Sequence, residues 1–562
     1  MNEFLFGSLA TLEQRVAYAR EQTRGVRHLH RLRPPVPRPG QSPTITVSVA
    51  LPQPVARVVC TILEPERAVV ELQPGEVTWD LLNWNYGRNW QGTLPAYPAG
   101  TVVRYEVHAH LLQADKKIPA DGGERFSYLV GEPGPPAWAR EAIIYQIFPD
   151  RFHPGRGRQW RPVDNLEQVH GGTLRGIIDH LGYVADLGFN CIWLNPFFPD
   201  ETYHGYHATD YFRVNERLGT MDDVRELVAV AHARGIRLLL DFVANHWGRA
   251  HPTFQAALAD RNSEYYDWYT WEAWPHYYKA FFGVQALPQV NLDNPAARTH
   301  MLEAADFWLG EVGFDGYRLD YALGPSLDFW TDFRASVKAA HPDAWIFGEV
   351  VGTPPMQRCY DGRLDGTLDF VLMQALRDTF AFHTMSVAGL DSFLHLHRAF
   401  FPDYFLLPSF LDNHDVNRFL WLVQGDRRKL KLAALCQFTL PGPPIVYYGT
   451  EVGLSQTRDI VQEEGHKMEE ARAPMLWGAA QDDDLHAFYR RLIHFRRQHP
   501  TLWQGVRRTV HLNEAAGTWA YTCADEEETI LVVFNAGTET RSFTAAGRAV
   551  TLAPWEGDLL AL

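Results

Sequence analysis

Carboxylates, histidines and one arginine recur at the ends of short apolar runs in the middle of this 562-residue chain. IRLLLDFVANH brings Asp241 and His246, GYRLDYA brings Arg318 and Asp320, and AWIFGEV closes on Glu349. YFLLPSFLDNHD brings Asp412, His414 and Asp415. If these runs are strands of one closed sheet, their C-terminal ends converge on one mouth, where barrel enzymes keep their catalytic groups. Three or more carboxyls facing one cavity repel each other, which drives their pKa values apart. Glycoside hydrolysis needs such a set: a retaining enzyme places two carboxyl groups about 5–5.5 Å apart, one as nucleophile and one as acid/base. Arg318 stands two residues before Asp320. On a strand both point to the same face, so the guanidinium can hold the carboxylate ionised and oriented. An isolated Arg-x-Asp pair is more often a structural ion pair; the weight lies in the full set.

The elements that would position these groups are legible as a repeat. From Glu141 onward eight apolar runs alternate with amphipathic stretches: AIIYQIF, FNCIWLNP, IRLLLDFVAN, GYRLDYA, AWIFGEV, LDFVLM, YFLLPSFLD and PPIVYYGTE. In MDDVRELVAVAHARG, Val224, Leu227, Val228 and Ala231 form one helical stripe and Gly235 is placed to end it. Continuous apolar strands alternating with helices imply a parallel sheet, and eight units imply a closed (β/α)8 TIM barrel over residues 137–485. The linker GEPGPPAW, rich in Gly and Pro, separates it from residues 1–130. There TITVSVALPQ and AGTVVRYEVHAHL alternate with period two and predict an N-terminal β-sandwich. TWAYTCA and TILVVFNA predict a second, C-terminal β-sandwich over residues 486–562. Between the third and fourth strands, residues 246–289 are too aromatic and irregular for a plain loop and predict a small inserted lobe over the barrel mouth.

Composition narrows the function classes. A net charge of −15 and a pI near 5.9 argue against a nucleic-acid partner. No stretch offers about 18 uninterrupted apolar residues, and MNEFLFGSLATLEQR, with Glu3 and Glu13, is unlike a signal peptide. A cytoplasmic protein without membrane partners is expected. The five cysteines are scattered and form no CxxC pair, so free, mostly buried thiols are expected and no metal site among them.

The ordered set AIIYQIFPDRF, GFNCIWLNP, HGYHATDYFRVNERLGT, DFVANH, GYRLDYA, FGEV and FLDNHD resembles the alpha-amylase family of glycoside hydrolases, family thirteen. The likeness covers nearly the whole chain beyond about residue 135, and PPIVYYGTEVGL and RAPMLW resemble the family's late segments. The resemblance implies that Asp320 attacks the anomeric carbon, that Glu349 is the acid/base, and that Asp415 supports the oxocarbenium-like transition state. It implies that His246 and His414 bond the sugar hydroxyls, that Arg318 positions the nucleophile and that Tyr206 stacks under the sugar. Asp241 is assigned to the frame of the site, and His207 stands beside Tyr206 where the family varies. Arg418, three positions after Asp415, is divided equally between a glucan contact and a structural ion pair. At least one of Trp268, Trp271 and Trp274 is expected on bound glucan, with most other rings of the lobe in packing.

LPQVN, residues 287–291, resembles the segment of the neopullulanase, cyclomaltodextrinase and maltogenic amylase group more than that of oligo-1,6-glucosidases. That implies an α-glucan oligosaccharide substrate: maltodextrins, cyclodextrins or pullulan, cut at α-1,4 and also α-1,6 bonds. It also implies an N-terminal domain used for homodimer formation or for binding starch. A transglycosylase with the same three carboxylates is the alternative. A non-catalytic glucan-binding or scaffold protein is disfavoured, because all three carboxylates are present. Two departures stand out. Tyr321, Ala322, Leu323 and Gly324 replace a run in which relatives carry a polar residue toward the leaving sugar. HPGRGRQWRPVDN replaces an Asn/Asp-rich calcium loop, leaving only Asn245 to match a calcium ligand of some relatives. Calcium takes six to eight oxygens, so no cofactor and no required metal are expected.

Overall fold

The computed structural model describes residues 11–113, 116–463 and 465–562. Its centre is a parallel sheet of seven strands: β1 (Ile144–Ile147), β2 (Cys191–Leu194), β3 (Arg237–Phe242), β4 (Gly316–Leu319), β5 (Trp345–Gly348), β6 (Ser409–Phe410) and β7 (Pro444–Tyr447). Their spatial order is β5-β4-β3-β2-β1-β7-β6, so β5 and β6 are the ends. Residues 365–369 join those ends. Gly348 pairs with Thr367 and Gly366 with Leu406, both parallel, while Leu368 donates to the Gly348 carbonyl and Asp369 to that of Pro408, each at 2.9 Å. The hydrogen bonds therefore run around a closed ring.

The sixth position differs from expectation. LDFVLM predicts a strand, but Phe370–Phe380 is a helix N-capped by Asp369, and the bridging segment lies a few residues earlier. An apolar run of this length suits either a strand or a buried helix. Gly366 decides the register, because a Cβ there would lie 1.7 Å from the Leu406 carbonyl oxygen.

Strands β1, β2, β4, β5 and β7 are buried along their whole length, as expected of strands covered on both faces. Ile144, Cys191, Trp193, Leu239, Trp345, Phe347 and Ile445 form one cluster, and the alternate residues pack in another with the surrounding helices. Helix Met221–Ala233 shows the local logic. Thr220 and Asp223 form a capping box, and the buried residues are Val224, Leu227, Val228 and Ala231, the stripe read from the sequence.

Residues 25–129 carry a nine-stranded antiparallel sheet with its own core, including Ile45, Val47, Val58, Cys60, Leu72 and Val107. It is joined to the barrel side by Arg104, which pairs with Asp328 and Asp332, and by Ser127 on Thr331. Helix Asp483–Gln498 runs across the boundary expected at 485. It buries Leu485, Tyr489, Leu492 and Ile493 in the barrel's core, so the antiparallel C-terminal strands begin only at Val506. Within 246–289, helix Pro252–Ala259 and the hairpin Trp271–Ala273 with Tyr277–Tyr278 stand on a His246–Gln289 bridge. No described helix is long and apolar enough to cross a membrane. All five cysteines are free thiols, and all but Cys359 are fully buried.

Candidate active site

The site forms because register sets acidic and basic residues side by side. Asp241 on β3 and Arg318 on β4 are direct cross-strand partners. Arg318 is fully buried, and its Nη1 lies 2.7 Å from both Asp241 Oδ1 and Asp320 Oδ1. Its Nη2 is 2.9 Å from Glu349 Oε2, so one cation serves three carboxylates. Burying charges is costly unless they are paired, and this fork pairs three at once.

The carboxyl groups differ in what else holds them. Asp241 Oδ2 accepts from Trp193 Nε1 at 3.0 Å and the Tyr206 hydroxyl at 2.9 Å, so it is fully engaged in the frame. Glu349 Oε2 also accepts the Tyr321 N–H at 3.0 Å, whereas its Oε1 is buried with no hydrogen-bond partner. Burial raises the pKa of Asp320, Arg318 opposes the rise, and Asp241 and Asp415 add to it. Burial likewise pushes Glu349 up to about 7, with Arg318 opposing and Asp320 and Asp415 reinforcing. The oxygen without a partner is the natural seat of a proton.

The two histidines have defined tautomers. Gln146 Nε2 donates to Asn195 Oδ1 at 3.0 Å and to His414 Nδ1 at 2.9 Å, leaving the His414 hydrogen on Nε2. That nitrogen is 2.6 Å from the Tyr206 hydroxyl and 3.0 Å from Asp415 Oδ2. Asn245 Nδ2 meets His246 Nδ1 at 3.1 Å, so His246 also carries its hydrogen on Nε2. Burial depresses both imidazoles, His246 to about 3, and keeps them neutral.

Tyr206, His207, His246, Asp320, Glu349, His414 and Asp415 line one cavity of about 220 Å³. Arg318 is not among the lining residues; it pairs with the three carboxylates and lies over the Trp193 ring, 5.0 Å away. Arg418 is not part of the lining. It is fully buried, donates to the carbonyls of Ala471 at 2.9 Å and Tyr448 at 2.7 Å, and lies 4.0 Å over the Tyr447 ring. Its Nη1 also donates to the Thr450 hydroxyl at 3.2 Å, its Nη2 is buried without a hydrogen-bond partner, and its charge acts on the buried Glu451. The three tryptophans of 246–289 are also absent from the lining. Trp268 packs on Tyr265 and His300, Trp271 on Phe254 and Tyr266, and Trp274 Nε1 donates to the Ala257 carbonyl. That segment instead gives the cavity Phe281 and Leu287.

Sequence reasoning gave no role to several lining residues: His204, Tyr321, His466, Met468, Glu469 and Arg472. Arg472 holds Asp415 Oδ1 at 2.9 Å, the His414 carbonyl at 2.8 Å and the Tyr203 hydroxyl at 2.9 Å. It opens the RAPMLW segment, so its signal was in view without a contact to explain it. Among the described residues no group of three or more His, Cys, Asp or Glu could hold a metal ion. Asn245 Oδ1 accepts Gln289 Nε2 at 2.9 Å. A larger cavity of about 440 Å³, between the 387–400 helix and residues 440–442, contains Asp369 tied to His397 and no comparable set of carboxyls.

Comparison with known proteins places this geometry. The model of the alpha amylase catalytic domain matches residues 146–483. Alpha-amylase 2 of Dictyoglomus thermophilum is 39% identical over 413 residues, 73% of this chain and 72% of the relative. A solved cyclomaltodextrinase superposes with a TM-score of 0.70 at 30% identity and covers 93% of both chains. Cyclic alpha-maltosyl-(1→6)-maltose hydrolase from Arthrobacter globiformis, in complex with cyclic alpha-maltosyl-(1→6)-maltose, gives a TM-score of 0.70 at 30% identity over 76% of this chain and 100% of that one.

Proposed function

The chain belongs to the alpha-amylase family of glycoside hydrolases, and on that premise we propose that it hydrolyses α-1,4 and α-1,6 glucosidic bonds of maltodextrins, cyclodextrins or pullulan by double displacement. The observation that carries the mechanism is the single buried Arg318 shared by Asp320 and Glu349, with Glu349 Oε1 left without a partner. Asp320, ionised against Arg318, attacks the anomeric carbon. Glu349 gives its proton to the glycosidic oxygen as that bond breaks, and a glycosyl ester forms on Asp320. Water then attacks the same carbon, its proton returns to Glu349, and Asp320 is released as a carboxylate. Asp415, gripped by Arg472 and His414, supports positive charge on the sugar ring. The neutral His246 presents an Nε2–H group to a sugar hydroxyl, His414 holds Tyr206 and Asp415 in place through its Nε2–H, and Tyr206 offers a ring face.

Residues 1–130 are read as a β-sandwich module, 246–289 as a lobe over the mouth and the C-terminal strands as a second sandwich. Trp79, Trp84 and Tyr86 form an exposed aromatic cluster on the N-terminal sheet, which supports its use as a contact surface in a homodimer. Free thiols suit a reducing compartment and hence the cytoplasm. The test is a product profile on cyclodextrin, pullulan and maltotriose. Glucose, maltose and panose-type products released as α-anomers are expected, and no turnover of any of the three would refute the assignment.

A further inference from the structure

Glu349 is aimed by its better-held oxygen. Oε2 meets two donors, Arg318 Nη2 at 2.9 Å and the Tyr321 N–H at 3.0 Å, which leaves Oε1 without a partner. The first donor is locked in place by Asp241 and Asp320. The second belongs to a backbone under constraint. Tyr321 has a φ angle of 39°, a conformation that a bulky residue keeps only where its surroundings impose it.

The next residue carries the constraint. The Ala322 N–H donates to the Glu349 carbonyl at 3.0 Å. A carbonyl oxygen has two lone pairs, and the Ala322 oxygen accepts two side-chain donors, the Trp330 indole N–H and the Tyr360 hydroxyl, each at 2.8 Å. Trp330 stands on helix Leu327–Ala340, and Tyr360 follows the short helix Pro354–Arg358. Both are buried, and neither is among the residues lining the cavity.

The two donors are tied to the N-terminal sheet through one buried residue, Ser127. Its hydroxyl donates at 2.9 Å to the hydroxyl of Thr331, the neighbour of Trp330. Its carbonyl accepts Arg363 Nη2 at 2.6 Å. Arg363 also closes the turn that carries Tyr360, donating from Nη1 to the Cys359 carbonyl and from its N–H to the Tyr360 carbonyl, each at 2.9 Å. Val36 presses on the same turn, since a Cβ at Gly362 would lie 2.7 Å from Val36 Cγ2.

We propose that Tyr360 and Trp330 are positioning residues for the acid/base: they hold the Ala322 carbonyl, keep the Tyr321 N–H on Glu349 Oε2, and pass the docking of the N-terminal sheet at Ser127 to Glu349. The inference rests on the retaining reading above. Both residues act through Tyr321 and Glu349, so their effect falls on the step that needs a proton.

Tyr360→Phe removes the hydroxyl and keeps the ring, and Ser127→Ala removes the bond to Thr331. Each is compared with wild type on maltotriose, whose leaving sugar takes a proton from Glu349, and on α-maltosyl fluoride, whose leaving fluoride needs none. Tyr360→Phe should lower kcat/KM on maltotriose about tenfold and on the fluoride less than about twofold, and Ser127→Ala should lower it on maltotriose about threefold with the same selectivity. The ratio of the two losses does not depend on how much of a preparation is folded, so a less stable variant still gives an answer. Arg318, Asp320, Asp415 and the Tyr321 phenol also face Glu349, and both variants leave them in place. The Tyr321 N–H holds the carboxyl pKa down, so loosening it should move the basic limb of the maltotriose profile to higher pH. Equal losses on the two substrates with an unmoved limb, or wild-type kinetics in Tyr360→Phe, would overturn the positioning role. A wild-type ratio in Ser127→Ala would overturn the link to the N-terminal sheet. A wild-type protein that turns over neither substrate would overturn the retaining reading and this one with it.

Discussion

Arg472 Nη2 lies 2.9 Å from Asp415 Oδ1, and the same guanidinium fixes the His414 carbonyl and the Tyr203 hydroxyl. Lysine cannot reproduce a planar fork with several donors. Arg472→Lys should lower kcat/KM on maltodextrins by about tenfold or more, the scale of a misplaced catalytic group. Arg472→Met leaves a mostly buried Asp415 without its cation and should destabilise the fold by about 3–5 kcal/mol. Steady-state kinetics and denaturant melts check both. Wild-type behaviour of Arg472→Met would remove this pair from the site.

Glu349 gives a pH-dependent signature. Its folded pKa is raised by burial to about 7 from an ordinary 4.5. The stability it contributes is therefore fully present below about pH 4.5 and is lost as pH rises through 7. Glu349→Gln should be more stable than wild type at pH 8, on the order of 2 kcal/mol, and lose that advantage at pH 4.5. Its activity should fall severely on maltotriose and much less on α-maltosyl fluoride, whose leaving group needs no proton. Equal losses on both substrates would remove the acid role.

Arg418 supports the fold behind the site. Arg418→Met removes donors from the Tyr448 and Ala471 carbonyls and should cost about 2–4 kcal/mol. The KM of the folded fraction should stay within about twofold, because no glucan contact is lost. A tenfold rise in KM at unchanged melting temperature would instead support a glucan contact for Arg418.

The tryptophans of 246–289 should behave as packing. Trp268→Ala is expected to destabilise by about 3–5 kcal/mol, since the ring is buried on Tyr265 and His300. Phe281→Ala, which strips the cavity wall, should instead lower kcat/KM about tenfold with a smaller change in stability. Thermal melts paired with maltodextrin kinetics separate the two, and the reverse pattern would return the glucan contact to the tryptophans.

The carboxylates gathered around Arg318 were legible because strand geometry is local. A run such as GYRLDYA dictates that Arg318 and Asp320 share a face, and parallel register then sets Asp241 beside them. Arg418 and Arg472 were not distinguishable that way. Arg418 caps a short helix after β6 and Arg472 ends a 3-10 turn after β7, and only packing turns one toward carbonyls and the other toward Asp415. The sixth strand was misplaced because LDFVLM is apolar enough for either element, and the deciding constraint, the contact of Gly366 with Leu406, is 40 residues away in sequence. The aromatic segment 246–289 is hard to read from sequence for a related reason. Composition announces rings but not which of them face inward, and Phe281 gained its place from the turn that brings it to Tyr321.

The most direct test of the central claim is to trap the intermediate. A 5-fluoro-α-glucosyl fluoride, incubated with the protein and followed by proteolysis and peptide mass spectrometry, should add one fluoroglucosyl unit to the peptide containing Asp320. The label should be absent from Asp320→Asn, a variant expected to fold normally and lose turnover. A label on Glu349 or Asp415, or turnover of the reagent with inversion at the anomeric carbon, would contradict Asp320 as the nucleophile of a retaining glycosidase.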